Sequence, residues 1–263
     1  MIDIHHHLLF GLDDGPSDIE ISLAMAEMSM QNGVTHIVCT PHSSEHYKFD
    51  PASNLERLQK IRQRLGDRIQ LAMGCDFHLM YDNIEDAIAH PAKYSINGKQ
   101  YLLVEFPEHS ISQNMKEIFF RLSMAGLTSI ITHPERNPVL ARHPDKMGDW
   151  LRSGSYIQIT AASLTGRFGK GAQRVSHDLL RRNWVHFVAT DAHDLTSRPP
   201  MLREAYKLIS EKYGVETADR LCKHNPRAAY FGDPLPPQPE PEGLHPEPDA
   251  KQSSGLFSKM FGR

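Results

Sequence analysis

Strand-like and helix-like runs alternate about seven times along this 263-residue chain, and that alternation leaves few folds open. Met1–His5, Thr35–Thr40, Arg68–Gly74, Gln100–Glu105, Thr128–Thr132, Ser155–Thr160 and Val185–Thr190 read as strands. Helical runs separate most of them. In the first, Ser17-Asp18-Ile19-Glu20 is a capping-box sequence with Ser17 as N-cap and Glu20 reaching back. Ile19, Leu23, Ala26 and Met30 then share one face, and Gly33 ends the helix. Pro51–Leu65, Ile111–Ala125, Asp145–Arg152, Gly171–Arg182, Pro200–Tyr213 and Glu216–His224 are the others. Strands joined through helices pair in parallel, so the choice lies between a doubly wound sheet and a βα barrel.

The polar residues favour the barrel. His5 and His7, Asp14, His42, Asp76, Glu105, His133, Asp191 and His193 lie at or beyond the ends of strands one, two, three, four, five and seven. In an α/β barrel such groups meet at one mouth. An open sheet would concentrate them at a single crevice instead. The sixth strand ends in Thr160 and offers no ligand of its own.

His5-x-His7 places two imidazoles on one face of a strand, because side chains alternate with period two, and turns His6 away into a structural role. Asp191-x-His193 repeats the spacing just past the last strand. Three cation positions follow: His5, His7, Glu105 and Asp191; Asp76, Glu105 and His133, with Glu105 bridging; and Asp14, His42 and His193. Imidazole and carboxylate without sulfur suit Mn²⁺, Fe²⁺ or Zn²⁺. Closely spaced cations neutralise an anionic phosphate ester, lower the pKa of a bound water toward ~7 and stabilise the attacking and leaving oxygens. Arg136 and Arg198 could hold phosphate oxygens through their forks. The remaining histidines, His78 among them, read as solvated or hydrogen-bonded residues, while Asp13 and His109 read as candidates for support behind the ligands.

Net charge is −3 with 23% charged residues, which gives no electrostatic footprint for nucleic acid. Cys39, Cys75 and Cys222 have no paired spacing, which points to a reducing, cytoplasmic setting without disulfides. No leader pattern or membrane-length apolar run is present. A thiolate phosphatase needs Arg six residues after its Cys. Glu45 and Tyr81 stand there after Cys39 and Cys75, and Arg227 is five after Cys222. The glycine-rich stretch GRFGKG at 166–171 lacks the hydroxyl of a nucleotide P-loop, and reads as a flexible or a basic, substrate-facing loop. From Asp233 to Asp249 seven prolines stand among acidic and small residues, which predicts an extended, solvated linker. Beyond it Leu256, Phe257, Met260 and Phe261, with Lys259 and Arg263, form either a disordered tail or a peptide docking on a membrane surface or a partner.

The segments MIDIHHH…GLDDGP, VCTPH, LLVEFPEH, ITHPERN, SLTGRFGK and FVATDAHD resemble the bacterial capsule-type, metal-dependent protein tyrosine phosphatases of the polymerase-and-histidinol-phosphatase (PHP) superfamily. The resemblance runs from Met1 to about Phe231 and leaves 232–263 as a separate Pro-rich tail. It implies a distorted seven-stranded βα barrel and a trinuclear site, about three ions per chain, usually manganese. It also implies hydrolysis of phosphotyrosine on a partner bacterial tyrosine kinase that regulates capsule or exopolysaccharide assembly. The family's ligands fall on the three groups already named, and its phosphate-contacting arginines on Arg136 and Arg198. Two positions depart from the pattern: His6 stands where the family often has Cys, and Asp76 where it usually has Glu. A histidinol-phosphatase-like small-molecule phosphoesterase would use the same ligands. An amidohydrolase would need a strand-end lysine that is missing here. A silent phosphotyrosine-binding module would have no need of the full ligand set.

Overall fold

The structure, a computed structural model, describes residues 1–244. The sheets contain β1 (Ile2–His6), β2 (His36–Cys39), β3 (His42–Ser43), β4 (Gln70–Met73), β5 (Asp76–His78), β6 (Tyr101–Glu105), β7 (Thr128–Thr132), β8 (Tyr156–Thr160) and β9 (Phe187–Ala189). They form two parallel sheets, β1-β2-β4 and β3-β5-β6-β7-β8-β9. A strand falls on each of the seven expected ranges, and β3 and β5 are additional: they follow β2 and β4 beyond Pro41 and the Gly74-Cys75 pair and lie in the other sheet. The far edges also touch. Asp191 N–H donates to the His5 carbonyl at 2.8 Å and His7 N–H to that of Ala192 at 2.9 Å.

The helices are α1 (Ile19–Gln31), α2 (Pro51–Leu65), α3 (Tyr81–Ala89), α4 (Met115–Met124), α5 (Pro138–Arg142), α6 (Lys146–Arg152), α7 (Ala161–Leu164), α8 (Gly169–Arg181), α9 (Leu202–Tyr213), α10 (Val215–Asp219) and α11 (Asn225–Phe231), with a wider π turn at Arg220–His224. The cap of α1 falls one residue later than expected. Asp18, not Ser17, accepts from the Glu20 and Ile21 amides at 3.0 and 3.1 Å. A carboxylate outcompetes a hydroxyl there because it also meets the positive end of the helix dipole. Glu20 is then free to pair with Arg64 at 3.0 Å. α4 begins at Met115 rather than Ile111. α3 was not expected at all: its acidic Asp82, Glu85 and Asp86 surround a narrow apolar stripe of Ile84, Ala87 and Ile88.

Most of the core lies between sheets and helices. A second cluster of Ile2, Ile4, Val38, Leu103, Ile130, Phe187 and Ala189 is closed by Ile96, Ala229 and Tyr230. Period two carries this face on to the strand ends. Glu105 follows Leu103 and Asp191 follows Ala189. His186 is buried beside that core, where Ile157 N–H donates to its Nδ1 at 3.2 Å. Burial, helped by Arg220, pushes its pKa down to about 3. The imidazole stays neutral in the fold but takes a proton in the unfolded chain below about pH 6.5. Its cost is therefore absent above that pH and grows as the pH falls, reaching ~2 kcal/mol at about pH 5. His186→Asn keeps an acceptor for Ile157. It is expected to flatten the loss of stability between pH 7.5 and 5 by about that amount in urea titrations, and an unchanged slope would refute the assignment.

Residues 233–244 carry no helix or strand and none of them is buried, as a solvated segment requires, but they are tied to the body of the fold. Tyr101 Oη–H donates to the Asp233 carbonyl at 2.8 Å, Trp184 Nε1–H to that of Glu242 at 2.9 Å, and Glu242 N–H to that of Arg182 at 2.8 Å. Prolines lack amide donors but keep carbonyls, so the segment is held mostly as an acceptor. The apolar residues Leu256–Phe261 lie outside the described residues. Among the described residues no helix is long and apolar enough to cross a membrane.

Candidate metal centre

The nine expected ligands converge. His5 and His7 leave the end of β1 with their Nε2 atoms 3.4 Å apart. Register places His42 directly beside Asp76 across β3 and β5. Asp76 Oδ2 then lies 3.3 Å from His42 Nδ1, 3.4 Å from His5 Nε2, 3.9 Å from His133 Nε2 and 4.0 Å from His7 Nε2. Asp191 Oδ1 lies 3.3 Å from His5 Nε2 and 3.5 Å from His7 Nε2. Asp14 Oδ1 lies 3.3 Å from His42 Nε2 and 3.2 Å from His193 Nε2. Glu105 reaches His42 at 3.6 Å and His133 at 3.7 Å. His133 and Asp191 both turn through left-handed backbone, φ 32° and 52°, the first directly after β7 and the second two residues past β9. Strain of that kind in non-glycine residues persists where surrounding structure enforces it, often at functional sites.

The groupings differ in part from the expected ones. Four sets of donors come close enough to share an ion: His7, Asp14, His42 and His193; His5, His7 and Asp76; His5, His133 and Asp191; and His42, Asp76 and Glu105. The Asp14–His42–His193 set is as expected, with His7 added. Asp76, rather than Glu105, sits among the largest number of imidazoles, and Glu105 groups with His42 instead of with His5 and His7.

Donor chemistry fits cations. Both Asp76 oxygens, Asp191 Oδ1 and His193 Nε2 are buried without a hydrogen-bond partner among the described residues. Orphaned buried carboxylate oxygens are costly. Two ligand atoms each ~2.1 Å from a shared ion, at angles of ~90–110°, stand about 3.0–3.5 Å apart, which is the spacing seen here. Burial alone would raise the Asp76 carboxyl, but His5, His133 and His42 hold it well below the usual carboxylate range. Burial would lower His5, yet Asp76 and Asp191 raise it to about 9. These imidazoles must therefore give up protons when they accept a cation.

Behind the ligands stand groups that fix their orientation. His5 Nδ1 lies 2.8 Å from Gln158 Oε1, and His7 Nδ1 lies 2.8 Å from Asp13 Oδ2. Each acceptor assigns the proton to Nδ1 and leaves Nε2 free to coordinate. Asp13 had been expected in support. Gln158 had not, although an amide two residues before Thr160 in an apolar strand was the available signal. Gln158→Leu is expected to weaken manganese affinity by ~10–100-fold in a calorimetric titration, and unchanged affinity would remove this role. His78 is a hydrogen-bonded histidine, one of the two readings open to it, and its partner is a candidate ligand: register opposes it to Glu105, and its Nε2 lies 2.8 Å from Glu105 Oε2. His109 does not join. It is exposed, with its Nε2 3.8 Å from Glu108 Oε2, and lies on the wall of the cavity beside the cluster.

Two arginines close the site. Arg136 and Arg198 both bond Asp191 Oδ2, the latter at 2.6 Å, opposite the oxygen that faces the imidazoles. Arg198 is set by a turn in which Asp194 Oδ1 accepts from the Thr196, Ser197 and Arg198 amides at 2.6, 2.6 and 3.2 Å. Its Nε–H is buried and unpaired among the described residues. Beside the cluster opens a cavity of about 540 Å³ lined by His42, Tyr47, His78, Met80, Glu105 and Pro107. Tyr47 stacks on His42 with ring centroids 5.7 Å apart and planes at 14°.

Known proteins resemble this chain in sequence and fold. Tyrosine-protein phosphatase YwqE of Bacillus subtilis is 33% identical over 228 residues, 85% of this chain and 89% of that protein. Tyrosine-protein phosphatase CpsB of Streptococcus pneumoniae is 31% identical over 236 residues, 86% of this chain and 97% of that protein. A crystal structure from work on YwqE and CpsB, described as metal-dependent tyrosine phosphatases, superposes with a TM-score of 0.85 at 31% identity, covering 92% of this chain and 99% of that one. The lactonase Lmo2620 of Listeria monocytogenes shares the fold alone, with a TM-score of 0.58 at 12% identity. Residues 1–230 match the family model for capsular polysaccharide synthesis proteins CpsB/CapC. Fold and sequence thus agree along nearly the whole described length, and the chain belongs to the CpsB/CapC family.

Proposed function

We propose that this chain is a metal-dependent protein-tyrosine phosphatase. Its substrate is phosphotyrosine on a partner bacterial tyrosine kinase in capsule or exopolysaccharide synthesis, and it works in the cytoplasm. The carrying observation is the set of overlapping donor groups, with orphaned carboxylate oxygens, at the edge of a cavity wide enough for an aryl ring. His5, His7, Asp14, His42, Asp76, Glu105, His133, Asp191 and His193 would hold about three divalent ions, manganese by family resemblance. Bound there, such ions supply Lewis-acid charge and a water of lowered pKa. The chain's own residues do the rest. Arg136 and Arg198 present N–H donors to phosphate oxygens, and Asp191 keeps both guanidinium groups at the mouth. Tyr47, Met80 and Pro107 wall the space for the tyrosine ring.

Within this reading the two sheets act as one distorted seven-stranded barrel, with β2/β3 and β4/β5 each counted as one broken strand. The β1–Ala192 contacts support closure. Residues 1–231 form the catalytic unit and 232–263 a Pro-rich tail, a division supported by the family match ending at residue 230. The test is turnover of a phosphotyrosyl peptide against histidinol phosphate by the manganese-loaded protein. Preference for the peptide is expected. Equal or better turnover of histidinol phosphate would replace this reading with that of a small-molecule phosphoesterase.

A further inference from the structure

The glycine-rich 166–171 stretch has no part in the metal centre, yet it delivers one side chain to it. The Arg136 guanidinium lies over the Phe168 ring, 4.4 Å from its centroid. Gly166 and Gly169 bracket that ring with φ of +86° and +85°, values that L side chains rarely adopt. Arg167 N–H bonds the Ala162 carbonyl at 2.9 Å and Gly169 N–H that of Gly166 at 3.0 Å. The chain therefore reverses tightly, leaving Arg167 and Lys170 exposed and Phe168 half-buried.

The two partners are also tied together through the backbone. Glu135, next to Arg136, is buried, and its Oε1 accepts from Thr160 N–H at 2.8 Å and Ser163 Oγ–H at 2.7 Å. That clamp joins the turn carrying Arg136 to the start of α7, from which the Phe168 loop departs. The Asp191 bond holds one guanidinium nitrogen but leaves the plane free to rotate. Stacking on an aromatic face fixes the plane.

We infer that Phe168 is a positioning residue that lays the Arg136 guanidinium flat, so that its free N–H groups face the phosphate. This rests on the phosphatase reading above. Phe168 itself touches no reacting atom; it acts through Arg136. A leucine would fill much of the space without the π face, whereas a tyrosine would keep it.

A double-mutant cycle on the manganese-loaded full chain tests this. Phe168→Leu and Phe168→Tyr are made in the native and Arg136→Ala backgrounds. The readouts are kcat/KM for para-nitrophenyl phosphate, calorimetric binding of inorganic phosphate, and metal content. Phe168→Leu is expected to lower kcat/KM and phosphate affinity by about tenfold at unchanged metal content. Phe168→Tyr should stay within about twofold, and Phe168→Leu should add less than about twofold once Arg136 is gone. An equal loss in both backgrounds, or no loss in the native one, would overturn the inference. Should the native protein fail to hydrolyse the aryl phosphate, the phosphatase reading falls. The phosphate-binding cycle then still decides on Phe168, coupling supporting the role and additivity removing it.

Discussion

Asp76→Asn is expected to lower kcat/KM for an aryl phosphate by ~10³-fold or more and to reduce bound metal. Asp76 is fully buried, neither oxygen has a hydrogen-bond partner among the described residues, and four imidazoles stand within 4.0 Å of its Oδ2. An asparagine would replace an anionic donor with a neutral one and turn an NH₂ group toward atoms that must face a cation. Metal analysis beside steady-state kinetics checks the result. Full metal content with undiminished turnover would show that this carboxylate is not a ligand. The same geometry bears on Asp76 standing where the resemblance implies Glu. Asp76 lies opposite His42 in register, so the strand itself delivers the shorter carboxylate to the imidazoles.

Arg198→Ala and Arg136→Ala should each cost about 10²-fold in kcat, the typical loss when one preorganised donor to a developing oxyanion is removed. Both guanidinium groups share Asp191 Oδ2, so their losses should not add. Metal content should hold, because the opposite oxygen of Asp191 faces His5 and His7. A KM effect with unchanged kcat would instead assign the arginines to ground-state binding.

The convergence of the candidate ligands was legible because each lies at or beyond the end of an expected apolar strand, and strands in βα units end at one rim. Their grouping was not. Asp76 meets His42 because β3 and β5 resume pairing after a break, and no local pattern announces that register. Non-local contacts also hid His78 beside Glu105, set by the β5–β6 register, and Gln158 behind His5, set by a side-chain contact between unpaired strands. α3 escaped notice because its apolar stripe is narrow and its exposed face acidic. The cap of α1 was misplaced by one residue because Ser17 and Asp18 are both good N-caps, and only the fold shows which carries the amides. The segment after Asp233 reads as solvated by composition, while its attachment runs through backbone carbonyls that composition does not register.

Divalent ions gathered by one constellation of side chains are the central claim, and counting them is its most direct test. The native protein is loaded with manganese, freed of excess metal, and assayed for metal by mass spectrometry and for phosphotyrosyl-peptide turnover before and after chelation. The expected result is about three ions per chain, with turnover lost on chelation and restored by added manganese. A chain that binds no stoichiometric metal, or that turns over at full rate after the metal is stripped, would contradict it.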